Sequence, residues 1–233
     1  MMKTLSFIVP VYNAQDLARK LSLRLPDLKE VAYECGFELI ESIFVDDGSN
    51  PKLVDLDGVK ILRHEKNMGK GMSVRDAFLE AKGDWVLMSD VDESVPVSQF
   101  QYLASRADDN VWIVCGSRRG RPGVPIKRKI LSKIFSFFAS LIMGNRLMDT
   151  QCGFKLFHRE KMRPIFENLM IKRFAFDVEL ITTVIEQGGE VVEQNVSWHG
   201  GKRSSLNVLK DAPRMLIDLI RLKLSKRGRD NRG

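Results

Sequence analysis

Alternation of short apolar runs with helical patterns in residues 1–95 constrains the fold more than any other feature of this sequence. Strands are predicted over residues 5–13, 39–45, 59–62 and 85–88. Helices are predicted over residues 17–28, behind Asp16 as the N-cap, and over residues 69–82. This order of elements predicts an α/β fold with a mostly parallel central sheet and helices on both faces.

Polar side chains follow three of these strands, as the pairs Tyr12/Asn13, Asp46/Asp47 and Asp90/Asp92. Ligands of open α/β sheets bind at the carboxyl edge of the strands, so these side chains are candidate site residues. In an extended segment, Asp90 and Asp92 point to the same side. Two carboxylates on one side suit Mg²⁺ or Mn²⁺ shared with a substrate phosphate. By itself, Asp90-Val91-Asp92 is more typical of a solvated acidic turn, and the rest of the sequence favours the metal site.

The second half of the chain is strongly basic. Between Asn110 and Met148 there is no Asp or Glu, and the basic residues are Arg118, Arg119, Arg121, Lys127, Arg128, Lys129, Lys133 and Arg146. A strand is predicted over residues 111–115, a basic loop over 116–125 and a helix over 126–143. This helix is either buried in the domain or placed in a membrane interface with its cations at headgroup level, and its periodicity leaves both possibilities open.

The remaining predicted elements are a helix over residues 174–187, a strand over 190–196 and an amphipathic helix over 206–226. They divide the chain into one α/β domain, residues 1–205, and a C-terminal amphipathic helix with a basic tail, residues 206–233. Gly69-Lys70-Gly71 does not open a dinucleotide-binding loop, because Val74 stands where the GxGxxG pattern needs Gly or Ala.

Composition indicates a globular protein with an anionic partner. The 233 residues carry a formal net charge of +7 and a sequence pI near 9.4, which favours a nucleotide, a nucleic acid or an acidic membrane surface. The three cysteines form no CxxC pair, which indicates neither a zinc site nor a disulfide framework. No signal peptide or apolar run of about 20 residues is present, so a cytoplasmic protein with at most peripheral membrane contact is expected.

Four motifs occur in a characteristic order: Pro10-Val11-Tyr12-Asn13, Val45-Asp46-Asp47-Gly48-Ser49, Asn67-Met68-Gly69-Lys70-Gly71 and Asp90-Val91-Asp92. Together they resemble the family-2 glycosyltransferases of the GT-A fold. The segments around Asp149-Thr150-Gln151-Cys152-Gly153 and Phe176-Asp177-Val178-Glu179 resemble in particular the dolichyl-phosphate glucosyltransferases and dolichol-phosphate mannose synthases. The resemblance implies Mg²⁺- or Mn²⁺-dependent, inverting transfer of a hexose from a nucleotide-sugar donor, with UDP-glucose favoured, to a polyprenyl-phosphate acceptor.

The resemblance also implies roles for individual residues. The metal ligand is Asp92, and the catalytic candidates facing sugar and acceptor are Asp149 and Asp177, the latter as the base if the acceptor is a hydroxyl. The donor is bound by Pro10, Tyr12, Asp46, Asp47, Lys70, Arg75, Asp90, Lys202 and Arg203. The acceptor is bound by Arg118, Arg119, Arg121 and Gln151.

Two departures from the family pattern and three alternatives accompany this interpretation. Glu93-Ser94 follows the acidic motif where the mannose synthases have Leu-Gln, and the N-terminal anchor of the eukaryotic glucosyltransferases is not seen. The alternatives are a non-lipid acceptor, an inactive scaffold on the same fold, and a basic nucleic-acid-binding module. No nucleic-acid partner is expected, because carboxylates at three strand ends repel phosphates unless a metal is bound.

Overall fold

The computed structural model describes residues 2–118, 152–199 and 208–230, with the side chains of the last helix described between 213 and 224. The strands are β1 Lys3–Val11, β2 Phe37–Asp46, β3 Lys60–Arg63, β4 Trp85–Met88, β5 Val111–Ser117, β6 Lys155–His158 and β7 Glu190–Asn195. The helices are α1 Gln15–Ser22, α2 Leu25–Glu34, α3 Lys70–Glu80, α4 Phe100–Ala104, α5 Arg159–Glu167, α6 Phe176–Glu186 and α7 Val208–Asp230, with a 3₁₀ turn at Val97–Gln99.

The strands form one seven-stranded sheet in the order β3-β2-β1-β4-β6-β5-β7. Strand β6 runs antiparallel to both of its neighbours, and the other pairings are parallel. The predicted mostly parallel α/β sheet is therefore confirmed. Because β6 is reversed, its first residue, Lys155, lies opposite Met88 at the end of β4. The start of β6 thus meets the carboxyl ends of the parallel strands.

The side chains of the sheet contribute to two hydrophobic cores, one on each face of the sheet. Along β1, Ile8 belongs to one core, whereas Phe7 and Val9 belong to the other, as the two-residue period of a strand requires. The core containing Ile8 is covered by α3, α5, α6 and α7. The opposite core is covered by α1, α2 and α4. Each face of the sheet is thus shielded by helices, which agrees with the sequence-based expectation.

The single helix predicted over residues 17–28 is wrong. The structure has two helices here, and Asp16 lies in the first turn of α1, behind Ala14 at the N-cap position, without a side-chain capping hydrogen bond. Pro26 explains the break, because proline has no N–H and is tolerated only in the first turn of a helix. In the structure Pro26 occupies the first turn of α2.

Helix α7 is longer than the predicted 206–226 and packs on the domain through one face. Met215, Leu219 and Leu222 are buried in the core that also contains α6. The separation of residues 206–233 as a distinct unit stays a prediction. Within the parts of the chain that the structure describes, no helix is long and apolar enough to cross a membrane.

Candidate active site

The loops after β1 and β2 bind each other at the carboxyl edge of the sheet. Ser49 accepts a hydrogen bond from the backbone N–H of Asn13 at 2.9 Å, and Asn13 has a left-handed φ of 48°. Pro10 pairs with Val45 in the parallel ladder of β1 and β2. Tyr12 lies in the loop after β1, next to Asn13, and 44% of its surface is exposed. The Tyr12 ring is thus accessible at this edge, as its predicted contact with the donor requires.

Asp46 is buried, and its carboxylate organises the loop that follows β2. It accepts hydrogen bonds from the backbone N–H groups of Ser49 at 3.0 Å and Leu53 at 2.8 Å, and it pairs with Arg63 at 3.3 Å. Burial alone would raise the pKa of Asp46, but these hydrogen bonds and the Arg63 charge hold it below its usual value. Its carboxylate is therefore engaged by protein donors, and its predicted contact with the nucleotide stays a prediction.

Asp47 ties the same loop to the glycine loop before α3. Its two carboxylate oxygens accept hydrogen bonds from the backbone N–H groups of Met68 at 2.7 Å and Gly69 at 2.9 Å. The side chains of Asn67 and His64 lie at 2.9 and 2.7 Å from the same carboxylate. Asp47 is 3% exposed, and these hydrogen bonds fix the conformation of the glycine loop. The predicted contact of Asp47 with the nucleotide stays a prediction.

The glycine loop is packed against the segment that precedes α6. Gly69 has a φ of 102°, and a Cβ atom there would lie 2.5 Å from the carbonyl oxygen of Lys172. Glu179 holds this segment in place by accepting hydrogen bonds from the backbone N–H groups of Met170 at 2.9 Å and Ile171 at 2.7 Å. Only glycine fits this conformation and this contact at position 69. The loop thereby presents Lys70 at the start of α3.

Lys70 forms an ion pair with Asp90 just beyond the end of β4. Its Nζ lies 2.6 Å from Oδ1 of Asp90, and both side chains are partly buried. Burial alone would raise the pKa of Asp90, but the charge of Lys70 and its hydrogen bond hold that pKa below the usual value. The charge of Arg118, at the end of β5, acts in the same direction. Lys70 and Asp90, both predicted to bind the donor, are thus brought together, and the charge of Arg118, predicted to bind the acceptor, acts on Asp90.

The acidic motif is a turn, and the extended geometry predicted for it is wrong. The backbone N–H of Glu93 donates to the carbonyl oxygen of Asp90 at 3.1 Å, and Glu93 has a left-handed φ of 48°. The carboxylate of Glu93 lies 3.7 Å from Nε of Arg24. The turn still leaves Asp90 and Asp92 close enough for their charges to interact.

The surroundings of Asp92 are compatible with its predicted role as a ligand of a metal ion shared with a substrate phosphate. Its carboxylate accepts a hydrogen bond from the backbone N–H of Ser94 at 3.1 Å. Burial and the neighbouring charge of Asp90 raise the pKa of Asp92, so this carboxylate gains from a cation. In residues 2–118, 152–199 and 208–230, no group of three or more His, Cys, Asp and Glu side chains could hold a metal ion. Mg²⁺ is commonly held by one or two carboxylates together with substrate phosphates, which suits the donor set at Asp92.

Gly153 lies directly against the Asp90 carboxylate. A Cβ atom at position 153 would lie 2.0 Å from Oδ2 and 2.2 Å from Cγ of Asp90, distances that no side chain can occupy. Gly153 precedes β6, so the reversed strand brings the backbone of its entry segment into contact with the acidic turn. The sequence motif around Cys152 and Gly153 is thereby joined to the Asp90 motif.

A second ion pair, entirely buried, joins β6 to α6. Nζ of Lys155 lies 2.8 Å from Oδ1 of Asp177, with side-chain exposures of 1% and 3%. Burial alone would lower the pKa of Lys155, but the charge of Asp177 raises it, so the ammonium stays protonated. Asp177 also lies in the first turn of α6, where the helix dipole stabilises a negative charge. The catalytic role predicted for Asp177 stays a prediction, and its carboxylate faces Lys155.

Arg75 connects α3 to α5. Its Nε donates to the carbonyl oxygen of Phe166 at 3.1 Å, and its Nη1 lies 3.2 Å from Asp76. The contact with the nucleotide predicted for Arg75 stays a prediction. Six other predicted site residues lie outside the described residues: Asp149, Arg119, Arg121, Gln151, Lys202 and Arg203. The helix predicted over residues 126–143 also lies outside them.

The segment after β7 reaches the acidic turn. The backbone N–H of His199 donates to the carbonyl oxygen of Ser94 at 2.9 Å, and that of Ser197 donates to Oε1 of Gln99 at 2.8 Å. The chain that leads towards Lys202 and Arg203 therefore starts beside Asp92.

Sequence reasoning missed three residues of this site: Gly153, Lys155 and Glu179. Each acts through a partner distant in the sequence, and no local pattern shows such a partner. A lysine at the head of the apolar run Leu156–Phe157 was the one available signal, because a buried lysine requires a carboxylate.

Comparisons with known proteins show the family and support the fold of this chain. The model of the family described as Glycosyl transferase family 2 matches residues 6–166. The chain belongs to glycosyltransferase family 2. The resemblance inferred from the four motifs is therefore confirmed, and with it the expectation of an enzyme that transfers a sugar.

Relatives in this family span most of the chain. A dolichyl-phosphate beta-glucosyltransferase of Dictyostelium discoideum is 31% identical over 247 residues, which cover 94% of this chain and 73% of the relative. The human protein of that name is 30% identical over 84% of this chain and 67% of its own length. The yeast protein from Saccharomyces cerevisiae is 27% identical over 95% of this chain and 74% of its own length.

Solved structures confirm the GT-A fold. Glucosyl-3-phosphoglycerate synthase of Mycobacterium tuberculosis, crystallised with Mn²⁺, UDP and glucosyl-3-phosphoglycerate, superposes with a TM-score of 0.71 at 17% identity, over 95% of this chain and 80% of that one. Mannosyl-3-phosphoglycerate synthase of Rubrobacter xylanophilus superposes with a TM-score of 0.68 at 17% identity, over 97% and 75% of the two chains.

Proposed function

We propose that this glycosyltransferase moves glucose from UDP-glucose to a polyprenyl phosphate at a membrane surface, with inversion at the anomeric carbon and with Mg²⁺ or Mn²⁺ as cofactor. The observation that carries the donor side is the Lys70–Asp90 pair beside Asp92 at the carboxyl edge of the sheet. The names of the relatives, dolichyl-phosphate beta-glucosyltransferases, support the sugar and the acceptor class.

The donor occupies the edge built by the loops after β1, β2 and β4. Tyr12 is exposed there for contact with the nucleotide base, while Asp46 and Asp47 fix the loop beneath it. Lys70 lies at the N-terminus of α3, where backbone N–H groups and the helix dipole add to its charge in binding a diphosphate.

The transfer is a direct displacement. An oxygen of the acceptor phosphate forms a bond to the anomeric carbon as the bond from that carbon to the UDP diphosphate breaks. Asp92 would hold the metal ion, which would supply positive charge against the negative charge that develops on the leaving diphosphate. A phosphate acceptor is ionised at neutral pH, so no side chain has to remove a proton from it. We therefore assign no proton transfer to Asp177, whose carboxylate is buried against Lys155.

Binding of UDP together with Mn²⁺ is expected to stabilise the protein against heat. A ligand that binds only the native state at about 100 times its Kd adds about 2.7 kcal/mol, which for a chain of this size raises the Tm by about 5–10 °C. Differential scanning fluorimetry with UDP or GDP, each with and without Mn²⁺, measures the shift. UDP with Mn²⁺ should give the largest one.

Chelation of the metal with EDTA is the control for that measurement and should remove most of the shift. Equal melting curves with and without UDP and Mn²⁺ would contradict the proposed donor. A larger shift with GDP would correct the base while leaving a nucleotide-sugar donor in place.

The outer face of α7 supports membrane contact. Ile217, Ile220 and Leu224, called the outer stripe below, are 45–62% exposed and lie on the side opposite the buried Met215 and Leu219. Their spacing places them along one line of the helix. The exposed Arg214 and Arg221 flank this line. An apolar line bordered by cations is the pattern of a helix that lies in the interface of an anionic bilayer.

Replacement of the outer stripe by glutamines is expected to weaken binding to anionic vesicles by about tenfold or more, because three apolar side chains no longer enter the interface. Sedimentation with vesicles of phosphatidylserine and phosphatidylcholine measures the binding. Binding of the parent protein should also weaken as salt rises, since salt screens the exposed cations.

A matched control is the double variant Leu23→Gln/Tyr33→Gln. It removes two side chains that are 72% and 70% exposed but lie at the ends of α1 and α2. This variant should bind vesicles like the parent. Absence of sedimentation at low salt, together with full activity on a water-soluble acceptor, would exclude the lipid surface and leave the glycosyltransferase reaction intact.

A further inference from the structure

Two ion pairs of the site form a cluster of four charges. Lys70 pairs with Asp90 at 2.6 Å, and Lys155 pairs with Asp177 at 2.8 Å. The two pairs are coupled, because the charge of Asp177 acts on Lys70 and the charge of Lys155 acts on Asp90. Two cations and two anions thus balance beneath the donor edge.

The N-terminus of α3, which carries Lys70, lies beside the N-terminus of α6, which carries Asp177. Its Nζ is 5.9 Å from the ring centroid of Phe176, the residue immediately before Asp177. Helices α3 and α6 touch at their N-termini, where a Cβ atom on Gly71 would lie 2.9 Å from Cβ of Phe176. A lysine carries its charge on a flexible four-carbon stem, so the ammonium of Lys70 can turn from Asp90 towards Asp177.

Lys155 prevents this movement of Lys70, because its own ammonium already pairs with Asp177. Lys155 is fully buried in the middle of the sheet, between β4 and β5, so its ammonium has little freedom to move. Asp177 is also buried, and a buried carboxylate without a partner strongly attracts any cation within reach. While Lys155 pairs with Asp177, the ammonium of Lys70 stays paired with Asp90 at the donor edge.

We propose that Lys155 is a positioning residue of the donor site: its ammonium neutralises Asp177 and thereby keeps Lys70 on Asp90, facing the donor diphosphate. The identity of the ligand rests on the function proposed above. The arrangement of the four charges does not depend on it.

The test compares two variants that break the same ion pair from opposite sides. In Lys155→Gln the amide can still donate to Asp177 but carries no charge, so Lys70 should turn to Asp177 in a crystal structure of the variant. In Asp177→Asn the competing charge is gone, so Lys70 should stay on Asp90. Kd for UDP with Mn²⁺, from calorimetry, should rise about 10- to 100-fold in Lys155→Gln, as expected when a charge-assisted contact is lost.

Three further variants sharpen the comparison. Lys155→Arg keeps the charge and should keep both the position of Lys70 and the affinity for UDP. The double variant Lys155→Gln/Asp177→Asn removes both charges and should restore Lys70 to Asp90. Lys155→Met, of similar length, repeats the test if Lys155→Gln does not fold.

A merely structural ion pair predicts a different result. Both single variants would then weaken nucleotide binding equally, and Lys70 would stay on Asp90 in Lys155→Gln as well. Either of these two findings would overturn the inference. If the parent protein binds neither UDP nor GDP with Mn²⁺, the proposed donor is wrong. The position of Lys70 in the crystal structures still decides the role of Lys155 in that case.

Discussion

Asp92→Asn is expected to lower the rate of sugar transfer by about 100-fold or more while leaving the fold intact. The substitution removes the negative charge that the metal requires. It should not destabilise the protein, because burial and the charge of Asp90 already disfavour the ionised form of Asp92. The backbone N–H of Ser94 can still donate to the remaining amide oxygen. Transfer from labelled UDP-glucose to a polyprenyl phosphate measures the rate, and thermal unfolding measures the stability.

Glu93→Gln is the matched control for Asp92→Asn. It removes the charge of the adjacent carboxylate, which lies 3.7 Å from Nε of Arg24. This variant should keep its turnover within about twofold of the parent. Turnover of Asp92→Asn within the same range would remove Asp92 from the mechanism.

Gly153→Ala is the second substitution for which a large effect is expected. The added methyl group would overlap the Asp90 carboxylate at 2.0 Å, so this carboxylate has to move from its present position 2.6 Å from Nζ of Lys70. A displacement of about 1 Å at a reacting centre can cost about 100-fold in rate, so activity should fall by that order. Steady-state kinetics and calorimetry with UDP and Mn²⁺ separate the effect on the rate from the effect on donor binding.

Gly58→Ala distinguishes this steric effect from a general loss of stability. Gly58 has a φ of 67°, and a Cβ atom there meets no atom within 4 Å. That variant should lose about 1 kcal/mol of stability through backbone strain and keep its activity. Parent-like activity in Gly153→Ala would show that Asp90 does not keep this position in the working enzyme.

Local signals in the sequence were sufficient to predict the parallel part of the sheet. Strand β4 is an uninterrupted apolar run followed by carboxylates, and its position was predicted correctly. The break between α1 and α2 was equally visible at Pro26, whose effect on a helix is local, but the run of leucines outweighed it in the prediction.

Contacts between distant segments could not be predicted in this way. The geometry of the acidic turn depends on a left-handed Glu93, which sequence alone does not require. Strand β6 is only four residues long and begins with a lysine, so its pattern resembles a loop until Asp177 is known to neutralise Lys155. Likewise, nothing local to Gly153 shows that its missing side chain makes room for Asp90.

The reversed strand β6 has a consequence for how such an enzyme can diversify. Strands β5 and β6 are direct neighbours in the sheet, with Cys115 paired to Lys155, and the backbone N–H of Gly116 donates to the carbonyl oxygen of Phe154 at 2.8 Å. The end of β5 and the start of β6 therefore lie at adjacent points that the sheet itself holds together. Closing a longer insertion costs little more entropy than closing a shorter one, because the cost rises only with the logarithm of its length. Selection can therefore change the length and sequence of the segment between β5 and β6 while the strands of the sheet keep their places.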